Sequence, residues 1–175
     1  EFSIASTSQM YSLKDKDWDY ELLNKFGIPT EILHKITPAG TVLGDVLPEI
    51  AEETGIDTKC ISVCGHDTGS AFLAVPMKKG EKCGCLSCGT WSLLGVELEE
   101  PIANDAAFDA QYTNEGGYND TVRFLKNISG LWIYGEIKRE FERKFGKVDY
   151  KTLDAEVNAA TPLKSLIDPD DERFM

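Results

Sequence analysis

Long apolar runs are missing from this sequence: no stretch approaches the roughly 20 residues that a helix needs to cross a bilayer. Basic residues are scarce, 18 Lys and Arg against 30 Asp and Glu, and the net charge of −12 excludes a surface built to neutralise a phosphate backbone or an anionic membrane. Neither nucleic acid nor a membrane is therefore expected as a partner. Internal repeats and low-complexity segments are absent as well. The amino terminus, Glu1-Phe2-Ser3-Ile4, lacks the basic-then-apolar layout of an export signal, so a cytoplasmic setting is expected. Cysteines are few and odd in number, five in all, which reads as reduced thiols and not as the disulfide framework of a secreted scaffold.

What is present is the composition of a globular protein: 175 residues, 42% hydrophobic and 27% charged, long enough to bury a substantial core. The chain starts in full stride and stops after an Asp-rich turn, which suggests a piece of a longer protein. Ser6-Thr7-Ser8-Gln9 fits a capping box and predicts a short helix through Met10 and Tyr11. Asp17 precedes the helical spacing Trp18, Leu22, Leu23, Phe26, which Gly27 stops; a small helix-turn unit is expected up to about Leu33. Asp45 is expected to cap a helix containing Pro48, Ile50 and Ala51 and ended by Gly55. Cys60–Cys64 reads as a strand leading through Gly65-His66-Asp67 into a helix with Ala71, Phe72 and Val75. Pro76–Glu81 is the best boundary. Beyond it, Cys83–Cys88 and Ser92–Leu98 flank Gly89-Thr90-Trp91 like a hairpin, and Thr121–Leu125 alternates like a strand. From Leu131 the positions Tyr134, Ile137, Phe141 and Phe145 mark the longest helix, ended by Gly146, and Lys151–Ala160 is helical too.

Four groups of residues could carry chemistry. A carboxylate at Asp67, where a strand gives way to a helix, suits a general base, although Asp is equally a favoured helix cap. The tight Gly89-Thr90 turn would let backbone N–H groups approach an anion, with a hydroxyl as a further donor; such turns are also common in plain hairpins. Thr113-Asn114-Glu115-Gly116-Gly117 reads as a polar turn, and Asn127, placed near the start of the long helix, could read a hydroxyl or cap that helix. Cys83, Cys85 and Cys88 have the C-x-C-x-x-C spacing of a thiolate site, but strand alternation turns Cys88 away from the other two, so no metal site is expected there.

Taken in order, GHDTGSA, LSCGTWSLLGVELEEPI and TNEGGYNDTVRFLKNISGLW, with the upstream AST.Q and DWD.ELL..FGIP.EIL patterns, resemble the central part of the FGGY carbohydrate kinases over nearly the whole chain. The resemblance implies an α/β, actin-like and ribonuclease-H-like two-domain sugar kinase fold, present only in part. It implies residues 1–75 as the end of the first domain, 76–81 as a connector and 82–175 as the start of the second. The HDT triplet and the NEGG…LKNI.GLW run point, within that family, to ATP-dependent phosphorylation of the 1-hydroxyl of L-rhamnulose in a cleft between the domains, with Mg²⁺ neutralising charge. Residue by residue, Asp67 falls on the proton acceptor, His66, Thr68 and Asn127 on sugar contacts, and Gly89-Thr90 on an ATP-phosphate contact. Gly135 stands where relatives carry a nucleotide-contacting Gln. A related ketose or deoxysugar kinase, and a non-catalytic binding module, remain the alternatives; the sequence says nothing of oligomeric state.

Overall fold

The chain opens with a single helical turn, α1 (Phe2–Ala5), capped by the Glu1 carboxylate on Ser3 N–H. The serines predicted to start a helix finish one instead. Ser6, Thr7 and Ser8 each donate a hydroxyl back to the carbonyl three residues earlier, at 3.2, 2.9 and 2.6 Å, and Gln9 takes a positive φ of 61°. Such back-bonding competes with the helical ladder, so a Ser/Thr run reads as a cap at either end. Tyr11 and Ser12 then form β1, paired antiparallel with β2 (Asp17–Trp18).

The structure, a computed structural model, describes residues 1–78 and 83–174. Part of the boundary expected at 76–81 thus lies outside the described residues. Helix α2 (Tyr20–Lys25) is capped by Asp19, two residues later than expected, because Asp17 and Trp18 are drawn into β2; Gly27, at φ 67°, follows its end. The segment up to Leu33 forms only turns. An antiparallel ribbon joins β3 (Val42–Asp45) to β4 (Lys59–Ile61), with α3 (Pro48–Thr54) between them. Asp45 pairs with Lys59 at the ribbon's end and does not cap α3, whose N-cap is Leu47. Helix α4 spans Asp67–Ala74.

The remaining strands form one four-stranded sheet in the order β5-β6-β8-β7, made of β5 (Cys85–Cys88), β6 (Trp91–Leu98), β7 (Tyr112–Gly116) and β8 (Val122–Ser129). Asn104 caps the short helix α5 (Asp105–Asp109). Helices α6 (Leu131–Phe145) and α7 (Tyr150–Ala159) follow, the latter capped by Asp149. Thr113–Gly117, expected as a turn, is largely the strand β7; it pairs with β8 in the register Tyr112↔Lys126 to Gly116↔Val122. The stacked Tyr112 and Phe124 rings, 4.6 Å apart, reinforce that pairing diagonally.

Two compact units result: Glu1–Cys85 with Gly95–Lys126, and Leu86–Leu94 with Asn127–Met175. The first buries Ala5, Leu23, Cys64, Phe72, Ala107, Val122 and Leu125. In the second, α7 docks on α6 through the Tyr134 hydroxyl on Asp154 (2.8 Å) and the Tyr134–Tyr150 ring contact, and Leu153 is buried.

Candidate functional site

In the first unit, three residues separate the end of β4 at Ile61 from the loop Gly65-His66 that delivers α4. His66 is the N-cap, in extended conformation and with no side-chain cap bond, so the first residue inside the helix is Asp67. Its Oδ1 accepts from the neighbouring Thr68 N–H at 2.7 Å, and the side chain is 98% exposed. Asp67 therefore does not do the work of an N-cap; its carboxylate faces solvent from the first turn. Thr68, in contrast, is buried, its hydroxyl 3.4 Å from Asp67 Oδ1.

The loop is fastened from beneath by α1. Glu1 Oε2 accepts from Gly65 N–H at 2.8 Å, from Ser3 N–H at 3.0 Å and from the Ser3 hydroxyl, while Ser3 Oγ accepts from His66 N–H at 3.0 Å. Burial alone would raise the Glu1 carboxyl, but these donors outweigh it and hold the group below the usual carboxylate range.

Behind the loop lies a residue that the sequence reading missed. Arg123 on β8 is fully buried. Its Nε donates to the Gly116 carbonyl at 2.9 Å, its Nη2 lies 3.2 Å from Glu115 Oε2, and its Nη1 lies 3.3 Å from His66 Nδ1. Burial pushes the guanidinium down from its ordinary value, against the pull of Glu115. Glu115 and Arg123 are direct cross-strand partners, so the visible signal was two opposite charges in facing strands. It was hidden once residues 113–117 were read as a turn.

In the second unit, Gly89-Thr90 forms the two-residue turn of the β5–β6 hairpin, as expected, but its backbone is largely committed. Gly89 N–H donates to Trp91 O at 2.9 Å. Its carbonyl accepts from Leu131 N–H at 2.9 Å, and the Thr90 carbonyl accepts from Gly130 and Trp132 N–H, both at 3.2 Å. The turn thus caps α6. Gly130 makes this approach possible, since a Cβ there would lie 2.6 Å from Gly89 O and 2.8 Å from Ser92 N. An anion at this turn meets the exposed Thr90 hydroxyl, and the first N–H groups of α6 are already taken.

Asn127 is exposed and lies within β8, not at the start of α6; the strand runs on to Ser129 and Gly130 is the cap. The helix-cap reading of Asn127 is therefore excluded. Gly135 sits on α6 with open space where a side chain would stand. An open hollow of about 610 Å³, lined by Trp132, Ile137, Phe141, Ile167 and Phe174 among others, contains none of the sequence-predicted residues, so volume does not locate the chemistry. The structure thus groups His66, Asp67 and Thr68 in one unit and Gly89, Thr90 and Asn127 in the other.

Cys64 and Cys85 are buried. Burial pushes both Cys64 and Cys85 up from the ordinary thiol value, and Cys85 Sγ contacts Met77 Sδ at 3.9 Å. Among the described residues, no group of three His, Cys, Asp or Glu side chains is placed to hold a metal ion.

Comparison with known proteins defines the class. Residues 1–74 match the N-terminal domain, and residues 84–175 the C-terminal domain, of the FGGY family of carbohydrate kinases. The chain belongs to that family. It is 41% identical over 175 residues to a rhamnulokinase of Oceanobacillus iheyensis and 37% identical to one of Halalkalibacterium halodurans. Each comparison covers 100% of this chain and 36% of the relative, so the chain spans about a third of the length of the curated relatives it matches. The fold agrees with solved sugar kinases. A xylulose kinase of Brucella ovis superposes with a TM-score of 0.67 at 18% identity, over 89% of this chain and 31% of that one. A ligand-bound xylulose kinase of Lactobacillus acidophilus gives 0.66 at 20%, over 90% and 31%.

Proposed function

We propose that the protein carrying this segment transfers the γ-phosphoryl group of ATP to the 1-hydroxyl of L-rhamnulose, giving L-rhamnulose 1-phosphate. The observation that carries this reading is the Asp67 carboxylate: it stands exposed at the first position of α4, free of capping duty, beside His66. In phosphoryl transfer the attacking hydroxyl must be aligned and its proton accepted, and Asp67 does the accepting. His66 and Asn127 hold sugar hydroxyls; Thr68, buried under Asp67, fixes the carboxylate's direction. At the Gly89-Thr90 turn the Thr90 hydroxyl meets the ATP phosphates. Gly135 supplies no side chain to the nucleotide.

Mg²⁺ belongs to this reading as the partner of ATP. Among the described residues no set of three His, Cys, Asp or Glu side chains is placed to hold the ion, which would neutralise charge on the phosphates. In the same reading residues 1–75 end the first family domain, 76–81 connect, and 82–175 begin the second; the matches at 1–74 and 84–175 support this division.

The test is Asp67→Asn in a full-length kinase carrying this segment. Turnover falls by roughly 10²–10⁴-fold while thermal unfolding stays near wild type. A fully active variant removes Asp67 as the base. A panel of ketoses and deoxysugars, read by ADP release, decides the sugar; failure of L-rhamnulose to outrank the others overturns that assignment.

A further inference from the structure

The geometry points to Arg123 as a positioning residue that fixes the tautomer of His66, so that the imidazole serves as a neutral hydrogen-bond donor through Nε2. The inference rests on the assignment of His66 and Asp67 to the sugar site. A guanidinium has only donors, and Arg123 Nη1 lies 3.3 Å from His66 Nδ1. A proton on Nδ1 would set two donors against each other. Asp67 Oδ1, the acceptor on the adjacent residue, is 3.8 Å away, beyond hydrogen-bond reach. Nδ1 is therefore the acceptor and the ring proton sits on Nε2.

The guanidinium cannot move to relieve a mismatch. It is fully buried, anchored by Nε on Gly116 O and opposed by Glu115 across the β7–β8 register. The first turn of α4 rests on it: a Cβ on Gly69 would lie 3.5 Å from Arg123 Cζ and 3.2 Å from Cys64 Cβ. The imidazole is likewise held at its backbone by the Ser3 hydroxyl. The result is a division of labour between neighbours. His66 donates to a sugar oxygen and does not compete for the proton, and Asp67 accepts the proton.

The test is selective ¹⁵N labelling of histidine in the full-length kinase carrying this segment, with the His66 signals assigned by their loss in His66→Gln. The expected result in the sugar-free enzyme is an unprotonated Nδ1 and a protonated Nε2; a protonated Nδ1 overturns the inference. A second arm replaces the buried pair by neutral groups of similar length, Glu115→Gln with Arg123→Met, which avoids stranding a lone charge. The KM for sugar rises about tenfold, the worth of one hydrogen bond. The KM for ATP is unchanged. Equal change in both constants, or change in neither, marks Arg123 as purely structural and overturns the inference. Should the double variant fail to fold, the ring signals of the wild type decide. If the wild type phosphorylates no sugar, the proposed function fails, and the ¹⁵N measurement still judges Arg123 by itself.

Discussion

At the scale of single residues, two carboxylates beside the Gly65-His66 loop stand in opposite circumstances. Asp67 is exposed and available, whereas Glu1 is spent on holding the loop that presents it. Because donors from Ser3 and Gly65 keep the Glu1 carboxyl below its ordinary value of 4.5, the ionised form contributes stability that is complete above about 4.5 and is lost as pH falls through the lower, folded value. Glu1→Gln, made where this segment lies within a full-length kinase, keeps an acceptor but removes the charge. Its deficit in stability, at most roughly 1.5–3 kcal/mol for hydrogen bonds to a charged group and less where solvent screens it, is expected at neutral pH and shrinks as the pH falls below 4.5 through the lower folded value. Thermal unfolding of both proteins across that range checks it; a deficit independent of pH refutes the role given to the carboxylate.

At the scale of elements, two glycines of one helix region are expected to respond in opposite directions. Gly130→Ala drives a Cβ into the Gly89 carbonyl and the Ser92 amide, backbone atoms that cannot swing aside, and costs roughly 1–3 kcal/mol. Gly135→Ala meets open space inside α6 and gains about 0.5–1 kcal/mol from helix propensity. Denaturant midpoints of the two variants provide the comparison. Much of this level was legible in the sequence. The β5–β6 hairpin announced itself through Gly89-Thr90 between apolar runs, and α6 through its apolar spacing and Gly146. Two things were not legible. Ser, Thr, Asn and Gly favour turns by local hydrogen bonding and backbone freedom, so residues 113–117 looked like a turn although pairing with β8 makes most of them a strand; Asn127 was lost to the same confusion. The Arg123–Glu115–His66 cluster follows from tertiary packing, which no local pattern reports.

At the scale of the whole molecule, apolar side chains are left uncovered. Val42, Leu43 and Ile61 are all more than half exposed on the β3–β4 ribbon, and α6 exposes Ile137, Phe141 and Phe145, the very stripe whose spacing predicted it. A helix of that pattern ordinarily faces a core. Expressed by itself, the chain is expected to bind an apolar fluorescent dye and to associate as concentration rises, measured by light scattering, with the net charge of −12 opposing association most strongly at low salt. A dye-silent monomer at high concentration contradicts this. The turn that caps α6 has a mechanical consequence. A helix of 15 residues is a rod about 22 Å long, bonded at one end to the carbonyls of Gly89 and Thr90. Tilting such a rod by about ten degrees at the turn sweeps its far end through roughly 4 Å. The displacement from any small rotation at the turn is therefore smallest at Leu131 and largest at Phe145.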